Sequence, residues 1–225
     1  MARKTKEDAE ATRERVLMAA LDLFSEKGYS HTTFSDIAKR INMTRGAVYW
    51  HFDNKPALLA ALIEYAYKRK QQMVGESTPN LHSIKDLRQR FIAYARVVAE
   101  DAVIRKFEFL MHYQMEWSEE LLTETHKRMN EIRRNPLEEF KTCFQMPEIV
   151  HGLRPDVNLD QLILTLASFW LGLCTMYLGR CPRMDFNSCA DSNFELPGRM
   201  SLARMTGSGF DLIMKTVSTE GQLDE

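Results

Sequence analysis

Apolar residues recur three or four positions apart along almost the whole chain, and no stretch shows the apolar/polar alternation of a half-buried strand. The chain therefore reads as all-α. In a first helix, Thr12 to Lys27, one face holds Val16, Leu17, Ala20, Leu21 and Phe24, and Gly28 ends it. The same steps return at Ile84, Leu87, Phe91, Tyr94 and Val98, then at Val103, Phe107, Leu110 and Gln114. A third series runs Leu122, Thr125, Met129, Ile132, Phe140 and Phe144, and Pro136 within it predicts a kink or two abutting helices. A buried helix is expected over 159–179 and a last one over about 201–218, with Pro147, Gly152 and Pro155 marking one loop and 181–197 a second.

With 225 residues, 44% hydrophobic and 27% charged, the chain can build a sizeable core without disulfides or metals. Its formal charge of -1 excludes a uniformly basic coat for nucleic acid and leaves room for a local basic patch. Residues 1–55 hold ten basic and eight acidic residues, against 20 and 23 in the remainder. Cys143, Cys174, Cys181 and Cys189 form no CxxC pair, and no signal-peptide pattern opens the sequence, so a cytoplasmic protein is expected. Leu162 to Leu178 is a run of 17 residues without a charge, at the short edge of a membrane span. With Thr165, Ser168, Gly172 and Thr175 inside it and no second such run, it is read as a helix buried on all sides by protein, not as a membrane segment.

The stretch 33–56 carries the most local detail. Thr33 followed three residues later by Asp36 caps a short helix with Ile37, Ala38 and Ile41 as its apolar face. A turn at Asn42-Met43 leads to Thr44, which caps a second short helix, Arg45 to Phe52. Asp53-Asn54-Lys55-Pro56 opens the next, with Pro56 where its missing N–H does little harm. Two short helices behind a longer apolar one form a helix-turn-helix, a geometry also found in proteins that never touch DNA. The second helix favours DNA: Thr44, Arg45, Gly46, Tyr49, Trp50 and His51 are donors or flat rings, where a plain surface helix prefers Glu, Lys, Gln and Ala. Gly46 lets the helix start approach a phosphate backbone, and Arg45 can fork onto guanine or grip a phosphate. Thr44, Tyr49 and His51 offer donors to phosphate, and Lys55 adds a point charge. The alternative for Tyr49 and Trp50 is packing between helices.

The run FSEKGYSHTTFSDIAKRINMTRGAVYWHFDNKPAL, Phe24 to Leu58, resembles the DNA-binding region of the tetracycline-repressor (TetR) family of bacterial transcription regulators. Gly28, Thr33, Ile37, Ala38, Thr44, Gly46, Tyr49, His51, Phe52, Lys55 and Leu58 stand where the family pattern wants them. Residues 2–24 are similar to the AcrR-like branch, which represses multidrug-efflux genes, and Glu108 to His112 with Glu116 and Trp117 weakly echo its sensor domain. Pro56 departs from the family's usual acidic or small residue. The resemblance implies a DNA-binding domain over 1–56, with Thr33 among its contacts, and a ligand-sensing and dimerisation domain over 57–225. It also implies a homodimer on a pseudo-palindromic double-stranded DNA operator, released by a small hydrophobic molecule.

Two heads are also what weak single-head binding requires. The expected dimer surface is the 159–179 helix, through Ser168 and Gly172, with Leu202, Met205, Gly209, Leu212, Ile213 and Val217 of the last helix. Arg3, Lys4 and Lys6 form a basic arm that either lies along the minor groove or is a frayed terminus, and Glu7, Asp8 and Glu10 weaken its charge. Tyr94, Phe107, Met111, His112, Met115, Trp117, Phe140 and Phe169 are the candidate ligand contacts, chosen among aromatic and methionine residues most of which are core. No cofactor or metal is expected, and no HExxH, GxSxG or phosphate loop supports an enzyme. A redox switch at Cys174, Cys181 or Cys189, and a regulator that docks a protein instead of a ligand, stay open.

Overall fold

In the computed structural model the described residues are 6–75, 81–131, 141–179 and 201–219. They are helical throughout, and the one β-pairing among them is an isolated antiparallel bridge between Leu153 and Ser218. The helices are α1 (Lys6–Lys27), α2 (Phe34–Arg40), α3 (Arg45–His51), α4 (Lys55–Val74), α5 (Ile84–Glu100) and α6 (Ala102–Phe109). A π-helical turn (Leu110–Gln114) extends α6, and α7 (Glu119–Glu131), the single turn α8 (Pro147–Val150), α9 (Leu159–Leu178) and α10 (Leu202–Lys215) follow. Pro136, Met129, Ile132, Phe140, Cys181 and Cys189, with the expectations placed on them, and Arg3 and Lys4 of the basic arm fall outside the described residues or side chains.

The chain packs as two units, one of Met1–Arg69 with Lys106–Asn135 and one of Lys70–Arg105 with Pro136–Glu225. This division by packing differs from the division by role expected at residue 56, because α4 and α6 each run through a unit boundary.

In the first unit, α1 starts earlier than its apolar stripe suggested, at Lys6, since Glu7 and Asp8 in the first turn suit the positive end of the helix dipole. Val16, Leu17, Ala20, Leu21 and Phe24 are all buried, as the stripe requires. Gly28 then takes φ +89°, the left-handed conformation that ends a helix without a Cβ penalty. Ile37 and Ala38 of α2, Val48 of α3 and Leu58, Leu59 and Leu62 of α4 are buried in the same unit. Arg40 grips Glu26 with two hydrogen bonds of 3.1 and 2.6 Å and so ties α2 to α1. Lys106 pairs with Asp22, and Ser25 Oγ donates to the Lys106 carbonyl, so the end of α6 is fastened along α1. On α7 the inward face is Leu121 and Thr125; Leu122, expected inside, is 40% exposed, because Leu121, four residues before Thr125, takes the inward position instead.

The second unit centres on Ile84, Leu87 and Phe91 of α5, Leu162, Ile163 and Leu166 of α9, and Phe210 and Met214 of α10. Phe91 and Phe210 pack at 5.2 Å, and Arg88 closes a bidentate pair with Asp211 at 2.5 and 2.7 Å. A Cβ placed on Gly209 would stand 1.9 Å from the Phe169 ring, so α9 and α10 approach over a glycine. Helix α9 is not covered on all sides. Only 28% of its most apolar 18 residues are buried, and Leu164 and Leu171 are 67% and 57% exposed. Among the described residues α9 is the one helix long and apolar enough to cross a membrane.

Candidate nucleic-acid interface

The candidate face is built by two caps. Thr33 and Asp36 form the full capping box: the Thr33 hydroxyl accepts from the Asp36 N–H at 3.2 Å, and the Asp36 carboxylate accepts from the Thr33 N–H at 2.9 Å. The Thr33 hydroxyl also donates to that carboxylate at 2.6 Å, and these bonds hold the Asp36 pKa below the ordinary carboxylate range. Thr33 is exposed, but its hydroxyl serves the cap, a different task from the DNA contact expected of it. At the next start Thr44 Oγ1 accepts from the Ala47 N–H at 3.2 Å, and Asn42 (φ 54°) makes the tight turn between the helices.

Helix α3 has one fully buried residue, Val48, which anchors it; the remaining positions face outward or sit at its margin. Arg45 donates to the Tyr49 hydroxyl at 3.0 Å, and its guanidinium stands 5.1 Å over that ring, so the two side chains form one unit. Tyr49 also meets Phe34 of α2 edge-on at 4.8 Å while remaining 43% exposed, which joins the packing and contact readings in one residue. Trp50 is 72% exposed and lies edge-on to His51 at 4.6 Å, so it is not packed between helices. His51 is half-buried. A Cβ on Gly46 would meet nothing closer than Thr44 Oγ1 at 3.9 Å, so packing inside the chain gives no reason for a glycine there. Lys6 is exposed in the first turn of α1.

An open groove of about 440 Å³ runs between these elements, lined by Thr32, Thr33, Arg45, Tyr49, Asn54 and Lys55 among others. Sequence reasoning missed Ser30, Thr32, Ser35 and Asn54 in its wall; small polar residues give no periodic signal, although Asn54 stands next to the recognised helix start and caps α4 by accepting from the Ala57 N–H at 2.9 Å. Lys55, expected as a point charge for phosphate, is half-buried and donates to the carbonyls of Tyr29, Ser30 and Thr32 at 2.8, 3.3 and 3.1 Å. Burial lowers its pKa.

The candidate ligand contacts are divided between the two units. Phe107 is buried, and Met111, His112 and Met115 are half-buried in or beside the π-helical turn of the first unit. His112 Nε2 lies 3.6 Å from the Glu108 carboxylate, both side chains under a tenth exposed. Trp117 is 39% exposed and lines a wide open groove of the same unit with Tyr29, Pro56, Glu116, Glu119, Glu120 and Glu124, in place of the apolar interior expected. Tyr94 and Phe169 belong to the second unit, where Tyr94 accepts from Arg90 at 3.1 Å and Phe169 covers Gly209. Phe140 lies outside the described residues. Cys143 and Cys174 are buried.

Two short capped helices, the second exposing an arginine–tyrosine pair and a tryptophan, form a helix-turn-helix. Residues 16–62 match the family described as bacterial regulatory proteins, tetR family, so the chain carries the TetR-family DNA-binding domain on the all-helical fold of that family. It is 30% identical over 134 residues to the probable HTH-type transcriptional regulator ArpR of Pseudomonas putida, covering 59% of this chain and 64% of ArpR. Over 64 residues it is 50% identical to the HTH-type transcriptional regulator AcrR of Shigella flexneri, 28% of this chain and 30% of AcrR. The match thus spans just under two thirds of the first of these curated relatives. Among solved structures it is similar to NalD, the secondary repressor of the MexAB-OprM multidrug efflux pump in Pseudomonas aeruginosa, at 26% identity, 95% and 100% coverage and a TM-score of 0.70. These relatives are transcription regulators, not enzymes.

Proposed function

We propose that the protein is a ligand-responsive transcriptional repressor that binds a pseudo-palindromic operator as a homodimer in the cytoplasm and controls efflux or drug-resistance genes. The observation that carries this reading is α3: a seven-residue helix anchored by Val48 alone that presents Arg45, Tyr49 and Trp50 outward beside an unobstructed Gly46. Arg45 and Tyr49 meet a base edge or phosphate together, and Thr44, whose oxygen accepts in the cap, still has its O–H to donate. The similarity to NalD, a repressor of an efflux pump, and to AcrR in the head supports the choice of target genes. Residues 1–56 read DNA; 57–225 sense and dimerise.

The dimer reading rests on α9 and α10. Leu164, Ser168, Leu171 and Thr175 are exposed along one stripe of α9, with open space around Gly172, and Leu212 of α10 is 70% exposed. An aliphatic stripe of this kind is covered in a dimer built from two such helix pairs. Gly209 lies under Phe169 within the chain.

The ligand is a small hydrophobic molecule met by Phe107, Met111, His112 and Met115, where flexible methionines accept varied apolar shapes. Release needs a difference in affinity: a hundredfold loss of DNA binding requires the compound to favour the released dimer by about 3 kcal/mol. Selection of bound fragments from the source genome, followed by gel shifts with a panel of hydrophobic drugs, tests the reading. Enrichment of a two-fold symmetric site, lost on adding a drug that also raises the melting temperature, is the expected result. A chain that enriches no fragment at low salt is not a DNA-binding regulator.

A further inference from the structure

Val48 is the one buried residue of the seven in α3, and a single buried side chain gives a short helix a pivot but no fixed tilt. Besides the edge contact of Tyr49 with Phe34, the tilt depends on how the two flanks of the helix are held. Both flanks are met from α1. After α3, Phe52 is the C-cap and its N–H donates to the Val48 carbonyl at 3.0 Å; the Arg13 guanidinium stands 5.1 Å over the buried Phe52 ring. Before α3, Ile41 ends α2 and Asn42 makes the tight turn; Arg15 donates to the Ile41 carbonyl at 3.0 Å. A carbonyl at a helix end has no partner within its helix, and an arginine is one of the groups that satisfy it. Standing two positions apart, Arg13 and Arg15 leave α1 on different sides, which lets one helix reach both flanks of another. Arg13 also lies 3.7 Å from Glu10, so its charge is partly met within α1.

We infer that Arg13 and Arg15 are positioning residues for DNA reading: they hold the two flanks of α3 and so set the tilt at which Arg45, Tyr49 and Trp50 are presented. This rests on the reading of α3 as the DNA-contacting helix. Tilt matters more to base edges than to phosphates, because a forked contact to a base needs its geometry while attraction to the backbone does not. Loss of the two arginines therefore lowers the preference for the right site more than the affinity for any duplex. An arginine placed on a phosphate behaves otherwise. Its loss flattens the slope of log affinity against log salt by about 0.9 and weakens all duplexes alike.

The experiment uses the full chain and its Arg13→Met, Arg15→Met and doubly substituted variants, since methionine keeps an aliphatic stem and removes the charge and the donors. Affinity is measured over a range of salt for a labelled duplex of the site enriched by the parent and for a scrambled duplex of equal length. The double variant is expected to bind the site about tenfold more weakly and the scrambled duplex less than about threefold more weakly, with the parent's salt slope. Each single variant falls between the parent and the double variant. In the DNA-free double variant the Ala47 and Phe52 amides, at the two ends of α3, exchange about tenfold faster while those of Leu21 and Phe24 do not change, which separates a loosened helix from a failed fold. Equal losses on the two duplexes, a slope flattened by about 0.9 for each arginine, or α3 amides no faster than those of Leu21 and Phe24 overturns the assignment. A parent that binds no duplex removes the DNA reading and this role with it; a parent that binds, with the double variant binding equally well, removes this role alone.

Discussion

Helices α3 and α9 both hold large apolar side chains in solvent, and they do so for different reasons. On α3 the exposed rings of Tyr49 and Trp50 stand among hydroxyl, guanidinium and imidazole groups, and a glycine opens the leading turn. On α9 the exposed residues are Leu164 and Leu171, with Ser168 and Thr175 between them and no charge over the helix beyond Asp160. A surface of donors and flat rings suits a polar, charged duplex, whereas an aliphatic stripe with a bare glycine suits another helix. Exposure alone does not tell the two apart; the chemistry of the neighbours does.

The widest separation between these faces comes from charging α9. Leu164→Glu with Leu171→Glu is expected to give monomers in sedimentation and at least a hundredfold weaker operator binding, while ligand-free helicity by circular dichroism is kept. A variant that stays dimeric would move the interface off α9. Gly209→Ala tests the inner face of the same helix pair: a methyl group driven into the Phe169 ring destabilises by about 1 to 3 kcal/mol in a thermal melt, and Phe169→Leu in the same chain recovers part of that.

On α3, Arg45→Ala weakens operator binding about tenfold and relaxes base preference, and Tyr49→Ala weakens all duplexes. Because Arg45 donates to the Tyr49 hydroxyl, the double variant loses less than the two losses added, which a cycle of gel shifts measures. Additive losses would separate the pair.

The smallest effect is on pH. The Thr33 hydroxyl and N–H hold the Asp36 pKa below its unfolded value, so the cap contributes fully above the ordinary carboxylate range. That contribution fades as pH falls through the depressed value, below about pH 4. Asp36→Asn should flatten this acid part of the melting-temperature profile, and an unchanged profile would count against the cap.

The head was legible because its determinants are local. The Thr33–Asp36 box, the Thr44 cap and the Gly28 stop each act within three or four residues, and each stands where the sequence placed it. The carbonyls that Lys55 reaches were not legible, because they lie 23 to 26 positions earlier in the chain, a separation that no pattern along a helix records. The surroundings of the candidate ligand contacts were not legible for a related reason. Phe107, Met111, Tyr94 and Phe169 share one composition and one period, yet Phe169 lies over a glycine of α10 and Tyr94 receives a hydrogen bond from Arg90.

The amino-acid order by itself determined that the chain is helical, where the caps of α2 and α3 fall, and which residues α3 turns outward, since propensity, capping and a 3.6-residue repeat all operate over one or two turns. Only the folded chain decided that Lys55 reaches the carbonyls of Tyr29, Ser30 and Thr32, that a π-helical turn extends α6 and passes its last carbonyl to Tyr29, and that α9 leaves an aliphatic stripe uncovered. Those outcomes depend on which distant groups meet, and burial and hydrogen-bond partners across such separations are set by packing.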